Sequence, residues 1–157
     1  KTLQELEAQL QNLQDEIEKI KGKPKNEIPK YGTGFWYIET NGGKSNTTWY
    51  NYDIDFYCFY TGNFYLTEEE ADKAEQKAQA FMRIKKYIFE NGISQEVDWN
   101  DTDEVKYFIY YDVEDGEFRY NIAKIFNNLN KIGYFTNRGS VERVLANCQE
   151  DLAIFNS

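Results

Sequence analysis

Gly62-Asn63-Phe64-Tyr65-Leu66-Thr67-Glu68-Glu69-Glu70-Ala71 is the stretch that decides the fold. Glycine opens it, an aromatic pair suited to a short strand follows, and Thr67 with Glu70 three residues later makes a capping box. Beyond it, Ala71, Ala74, Ala78, Phe81, Ile84 and Ile88 recur at helical spacing. Glu68–Glu70 suit the positive end of such a helix, Lys85 and Lys86 its negative end, and Gly92 a stop. The sequence therefore passes from strands to a long helix at Thr67.

Upstream, Phe35–Thr40 and Thr48–Tyr60 are rich in aromatic residues and flank Asn41-Gly42-Gly43, a hairpin-turn signal. The alternation of Tyr50, Tyr52, Ile54, Phe56, Cys58 and Tyr60 predicts a strand with these side chains in the core. Asp53 and Asp55 then fall on the solvent face. Downstream, Lys106–Val113 and Phe118–Ala123 flank Glu114-Asp115-Gly116-Glu117, a second turn signal. Gly133-Tyr134-Phe135 leads into Thr136-Asn137 as candidate caps, and Val141, Val144, Leu145, Cys148 and Leu152 line one helical face. Each half thus runs hairpin, Gly-x-aromatic strand, capped helix. The expected fold class is α+β, an antiparallel sheet carrying two helices, with a weak ββα duplication.

At the start of the chain, Leu3, Leu6, Leu10, Leu13, Ile17 and Ile20 are spaced alternately by three and four residues, the seam of a coiled coil. Residues 1–21 are therefore expected to be an oligomerisation helix that pairs with further copies of the chain. Glu16 at g and Lys21 at the following e favour a parallel pair, while leucine at a leaves trimers and tetramers open. A seam of about 27 Å is marginal in isolation. Residues 22–34 hold both prolines and three of the ten glycines, and read as a linker. Residues 35–157 are long enough for one ordinary core.

Charge divides at the same boundary. Residues 1–30 carry six Lys against six acids, so the remaining 12 Lys and Arg against 21 Asp and Glu account for the whole net charge of −9. That balance argues against direct nucleic-acid binding and against an anionic membrane surface, and it suits a basic protein partner. The candidate partner-binding residues are Asp53 and Asp55, then Asp98, Asp101, Asp103 and Glu104, then Glu114, Asp115 and Glu117. Aromatics are the other outlier: with Tyr 13, Phe 11 and Trp 3, one small core cannot hide them all. Tyrosine gives large contact area at little entropic cost, so a Tyr-rich acidic face is suited to gripping an Arg-rich partner.

Chemistry is scarce. The chain has no histidine, which removes Ser-His-Asp and Cys-His catalysis and imidazole metal sites. No Gly-rich phosphate loop is present. Asp98-Trp-Asn-Asp-Thr-Asp-Glu104 superficially suggests a calcium loop, but it lacks the central glycine and the distal bidentate glutamate. No catalytic residue, cofactor or metal is expected. The two cysteines, Cys58 and Cys148, sit in apolar settings and read as reduced, buried thiols. No apolar run is of membrane-spanning length and no signal-peptide pattern is seen, so a cytoplasmic setting is expected.

Phe35-Trp36-Tyr37-Ile38, Gly62-Asn63, Thr67-Glu-Glu-Glu-Ala71, Asp98-Trp99-Asn100-Asp101, Lys106-Tyr107, Tyr110-Tyr111-Asp112 and Tyr134-Phe135-Thr136 resemble the pattern of small uncharacterised proteins encoded by phages and prophages of low-GC bacteria. The resemblance covers most of residues 35–145. It implies a viral setting in the bacterial host cell and assigns no catalytic residues. Asn137-Arg-Gly-Ser140 departs from the acidic, alanine-containing helix start usual in that pattern. Two function classes follow: a non-enzymatic inhibitor of a basic host protein, of the anti-defence or anti-CRISPR type, and an oligomeric virion or scaffold component.

Overall fold

The computed structural model describes residues 6–7, 9–13, 27–125, 127 and 130–157. It is a mixed α+β fold with two small antiparallel sheets. β1 (Gly34–Ile38) and β2 (Lys44–Thr48) form the first hairpin, with Phe35 opposite Thr47 and Tyr37 opposite Ser45. Its turn depends on Gly42, whose φ of 83° lies in the left-handed region that glycine adopts freely. α1 (Asp53–Thr61) follows, and Tyr65 then bridges Trp36 through two backbone hydrogen bonds of 2.8 and 2.9 Å. The long α2 (Glu68–Glu90) starts at the Thr67 capping box read from the sequence.

The second sheet has the order β4-β3-β5, built from β3 (Lys106–Asp112), β4 (Glu117–Ala123) and β5 (Tyr134–Phe135). α3 (Arg138–Asn147) begins at Asn137, whose side chain accepts from the Ser140 N–H, and α4 (Gln149–Asn156) follows. The helical face predicted through Leu152 is thus divided at Cys148, yet Val141, Val144, Cys148 and Leu152 all remain buried.

Two apolar clusters result. Phe35, Trp49 and Cys58 form the first, with Phe56, Phe59 and Phe64 against them. Ile84, Ile88, Ile109, Phe135, Val141, Val144 and Leu152 dominate the second. α2 joins the two sets of elements, since it packs on both strands of the first hairpin and on α3 and α4. The methyl groups of Ala71 and Ala80 are fully buried along it, and Phe81 stacks on Phe155 of α4 with ring centres 5.3 Å apart.

Two expectations need correction. The elements do not share one sheet, because the first hairpin and the β4-β3-β5 sheet are separate. Of the strand predicted over residues 48–60 only Thr48 is strand, as the last residue of β2, and α1 takes up the segment from Asp53. The period-two aromatic pattern was compatible with either state, and Asp55 tips the balance. Placed at the third position of a helix, its carboxylate accepts from the Tyr50 and Tyr52 N–H groups at 2.9 and 3.0 Å and so satisfies donors at the helix entrance. Helical rotation then buries Asp55 and Cys58 and turns Tyr52, Ile54, Tyr57 and Tyr60 outward, the reverse of the predicted core face for Tyr52, Ile54 and Tyr60.

Candidate functional site

The acidic segment 98–104 is organised around a cation of its own. Lys106, the first residue of β3, is completely buried, and its ammonium donates to the Asp101 carbonyl at 2.9 Å and the Glu104 carbonyl at 3.1 Å. The Glu104 carboxylate lies 3.8 Å away and the Trp99 ring 5.2 Å away. Trp99 in turn meets Tyr134 edge-on at 4.9 Å. Most of the acids are turned into the loop: Asp98 accepts from Asn100 N, Asp101 from Asp103 N and Glu104 N, and Glu104 from Asp98 N. Oxygen ligands that suggested a calcium loop in the sequence therefore serve a lysine ammonium and backbone amides. Asp98, Asp101 and Asp103 all stay exposed, and Glu104 is half-buried.

The hairpin acids are similarly engaged. Arg119 on β4 reaches Asp115 and Glu117, each at 2.7 Å, and Asp112 at 3.6 Å. Those carboxylates hold the guanidinium above its ordinary pKa, Glu117 being the main cause. Asp112 also accepts from the Glu114 and Asp115 N–H groups across the turn. Of the predicted partner-binding acids here, Glu114 alone is exposed without meeting Arg119 through its side chain.

Asp53 and Asp55 separate. Asp53 is exposed in the first turn of α1, where the helix dipole favours an acid. Asp55 is 2% exposed and committed to two backbone amides, so it is a structural residue and no part of a solvent face.

Beside Asp53 the structure exposes Tyr50, Tyr52, Ile54 and Tyr60, which the strand reading had placed in the core, together with Tyr57, which it had placed on the solvent face. Tyr31 meets Tyr50 at 5.3 Å and Tyr50 meets Tyr52 at 6.0 Å. Tyr52, Phe56 and Tyr60 then follow at helical spacing, and Phe56 stacks on Tyr60 at 6.3 Å. Tyr57 lies one turn from Asp53 in the adjoining row. Tyr52, Tyr57 and Tyr60 are 64, 63 and 70% exposed, and Ile54 is exposed beside them. The backbone beneath is firmly held. Trp49 is buried with its indole N–H donating to the Asn51 side chain at 2.7 Å, Asn51 takes a left-handed φ of 62°, and Asp55 secures Tyr50 and Tyr52. A helical reading of the rows 52/56/60 and 53/57/61 would have found this strip in the sequence.

Of the proposed oligomerisation residues, Leu6, Leu10 and Leu13 are helical and exposed. Leu3, Ile17 and Ile20 lie outside the described residues. Cys58 and Cys148 are both free and buried, and burial raises each thiol above its ordinary pKa. Among the described residues no group of three or more Cys, Asp or Glu side chains is placed to hold a metal ion, and no helix is long and apolar enough to cross a membrane. A shallow depression over the first hairpin is lined by Gly34, Phe35, Trp36, Asn46, Thr47, Thr48 and Tyr50, none of them an acid or a strong base.

Comparison with family models, with curated proteins and with solved structures gives no match. The chain's own surface carries the functional argument.

Proposed function

We propose that the chain is a non-enzymatic, phage-encoded protein that binds and inhibits a basic host protein in the bacterial cytoplasm, with a nucleic-acid-binding defence effector as the target type. The carrying observation is that the net charge of −9 lies entirely in residues 31–157, the same part that exposes Tyr31, Tyr50, Tyr52, Tyr57 and Tyr60. Acidic side chains steer a basic groove toward the protein, and exposed aromatic rings supply contact area once it arrives. Affinity capture from a bacterial lysate tests this reading. A nuclease or comparable basic effector should be enriched at low salt and lost at high salt, and its purified activity should fall when the chain is added.

A second reading, an oligomeric assembly or scaffold component, is favoured by the exposed Leu6, Leu10 and Leu13 on helical residues. We read the leucine seam of residues 1–21 as a coiled coil between copies of the chain, whichever function it serves. Light scattering should report at least a dimer, reduced to monomer by Leu10→Asp with Leu13→Asp. We also read the two halves as a duplicated ββα unit. The Trp36–Tyr65 bridge stands beside β1 as β5 stands beside β3, and each is followed within three residues by a side-chain-capped helix.

A further inference from the structure

We infer that recognition is carried by the tyrosine strip of residues 50–60, and that it takes an arginine-bearing segment of a basic partner, while the two acidic loops at 98–104 and 112–117 act only at a distance. The inference rests on the reading of the chain as a binder of a basic protein, and names the surface that does the binding.

Three features of the structure converge on that strip. First, α1 is apolar on both sides: Cys58 and the half-buried Phe56 and Phe59 face the first cluster, while Ile54, Tyr57 and Tyr60 face outward. A helix apolar all round is normally covered all round. Second, the outward rings are preorganised, because buried Asp55 and the Trp49–Asn51 hydrogen bond fix the backbone that presents Tyr50 and Tyr52. Little ordering entropy then opposes binding. Third, the strip's own charge has one sign. Residues 45–67 contain exposed Asp53 and buried Asp55 and not one Lys or Arg. A second copy of the chain would bring Asp53 against Asp53 and is disfavoured. A guanidinium stacks on tyrosine faces and pairs with Asp53 at the same time, which a compact ammonium does less well.

The acidic loops lack this combination. Asp98, Asp101 and Glu104 accept from their own loop's amides, and Asp112, Asp115 and Glu117 surround Arg119. These acids are already partly satisfied within their own loops and have no exposed aromatic strip beside them, so their main contribution is long-range attraction, which acts on association rate.

The test uses the full chain with two synthetic probes of equal charge, a nine-residue arginine peptide and its lysine counterpart, titrated at low salt. The arginine peptide should bind at least fivefold more tightly. Tyr57→Ser with Tyr60→Ser should weaken it at least tenfold and abolish the preference, while Tyr57→Phe with Tyr60→Phe retains it. These side chains are exposed, so circular dichroism should be unchanged. Equal affinity for both peptides, with binding lost instead on neutralising Asp101, Asp103 and Glu104 or Glu114, Asp115 and Glu117, would overturn the inference while leaving a basic partner in place. If neither peptide binds at low salt, the basic-partner reading itself is overturned.

Discussion

The side chain of Asn63 pairs with the backbone of Ile38 as a neighbouring strand would: its Nδ2 donates to the Ile38 carbonyl and its Oδ1 accepts from the Ile38 N–H, both at 2.7 Å. Two residues later Tyr65 continues the pairing at Trp36. One carboxamide thus finishes the edge of β1 where no backbone strand reaches it. In the second sheet Asn130 does related work, donating to the Ile109 carbonyl at 2.9 Å and accepting from the N–H groups of Ile132 and Gly133 at 3.1 Å.

Replacing Asn63 by Ala leaves both half-buried groups of Ile38 to find other partners, and should destabilise the fold by about 1–3 kcal/mol in urea unfolding. Asn63→Leu, which fills the space without either hydrogen bond, should not recover the loss. Recovery by leucine would assign the position to packing.

Lys106 should be less replaceable than any other cation described. Lys106→Met removes a buried ammonium from the Asp101 and Glu104 carbonyls, and hydrogen bonds to a charged group contribute roughly 1.5–3 kcal/mol. Trp99 reports the local consequence: freed from its cation and from Tyr134, its fluorescence should shift to the red. Arg119→Gln is the contrast. That side chain is 44% exposed, so its ion pairs should contribute little to stability and fade with added salt. A loss of similar size in the two variants would contradict the division between an internally held loop and a surface cluster.

Gly42 couples the first hairpin to α2. A Cβ built there lies 2.7 Å from the Met82 sulfur, and the backbone sits at a φ of 83°. Gly42→Ala should therefore be destabilising by about 1–2 kcal/mol from conformation alone, with a further contribution from the close approach. Methionine is flexible and yields readily. Adding Met82→Ala to the glycine variant should remove only the second part, so the pair should be non-additive in a double-mutant cycle.

The sequence was most legible where a local rule acts alone. Thr67 and Glu70 announced α2, Gly42 and Gly116 marked the two turns, and Asn137 capped α3, since each depends on neighbours within a few residues. It misled at residues 50–60, where alternating aromatics fit a pleated strand as well as a helix with two apolar sides. The deciding interaction, Asp55 with the Tyr50 and Tyr52 amides, is a capping geometry and not a periodicity. That single change moved Asp55 out of the candidate surface and Tyr50, Tyr52 and Tyr60 into it. The acidic loops were legible as acidic, but composition could not reveal that Lys106 and Arg119 occupy them. For Lys106 the reason is positional, because it reads as an ordinary strand-opening residue and its loop partners are backbone carbonyls.

The buried thiols predict an alkaline weakening of the fold. Cys58 lies with Phe35 and Trp49 in the first cluster, Cys148 with Val144 and Leu152 in the second, and burial raises both above the ordinary value of 9.0, with Asp55 and Asp151 adding to the shift. A raised pKa means that the folded state keeps its protons to higher pH than the unfolded state does. The contribution is therefore fully present below the unfolded pKa, and it is lost as pH rises from there through the folded value. Lys85, lowered by its own burial, acts in the opposite sense, and Tyr65, raised by burial, acts in the same sense nearer its ordinary 10.0. Comparing the wild type with Cys58→Ala/Cys148→Ala cancels both. In reducing buffer the double variant should be less stable near pH 7, by roughly 1–6 kcal/mol for two buried truncations in separate clusters. The gap should close as pH rises above about 9, because only the wild type has thiols to ionise on unfolding. A gap that stays constant from about pH 7 to about pH 10 would mean that the thiols ionise equally in both states, and that the two clusters are open to water at Cys58 and Cys148.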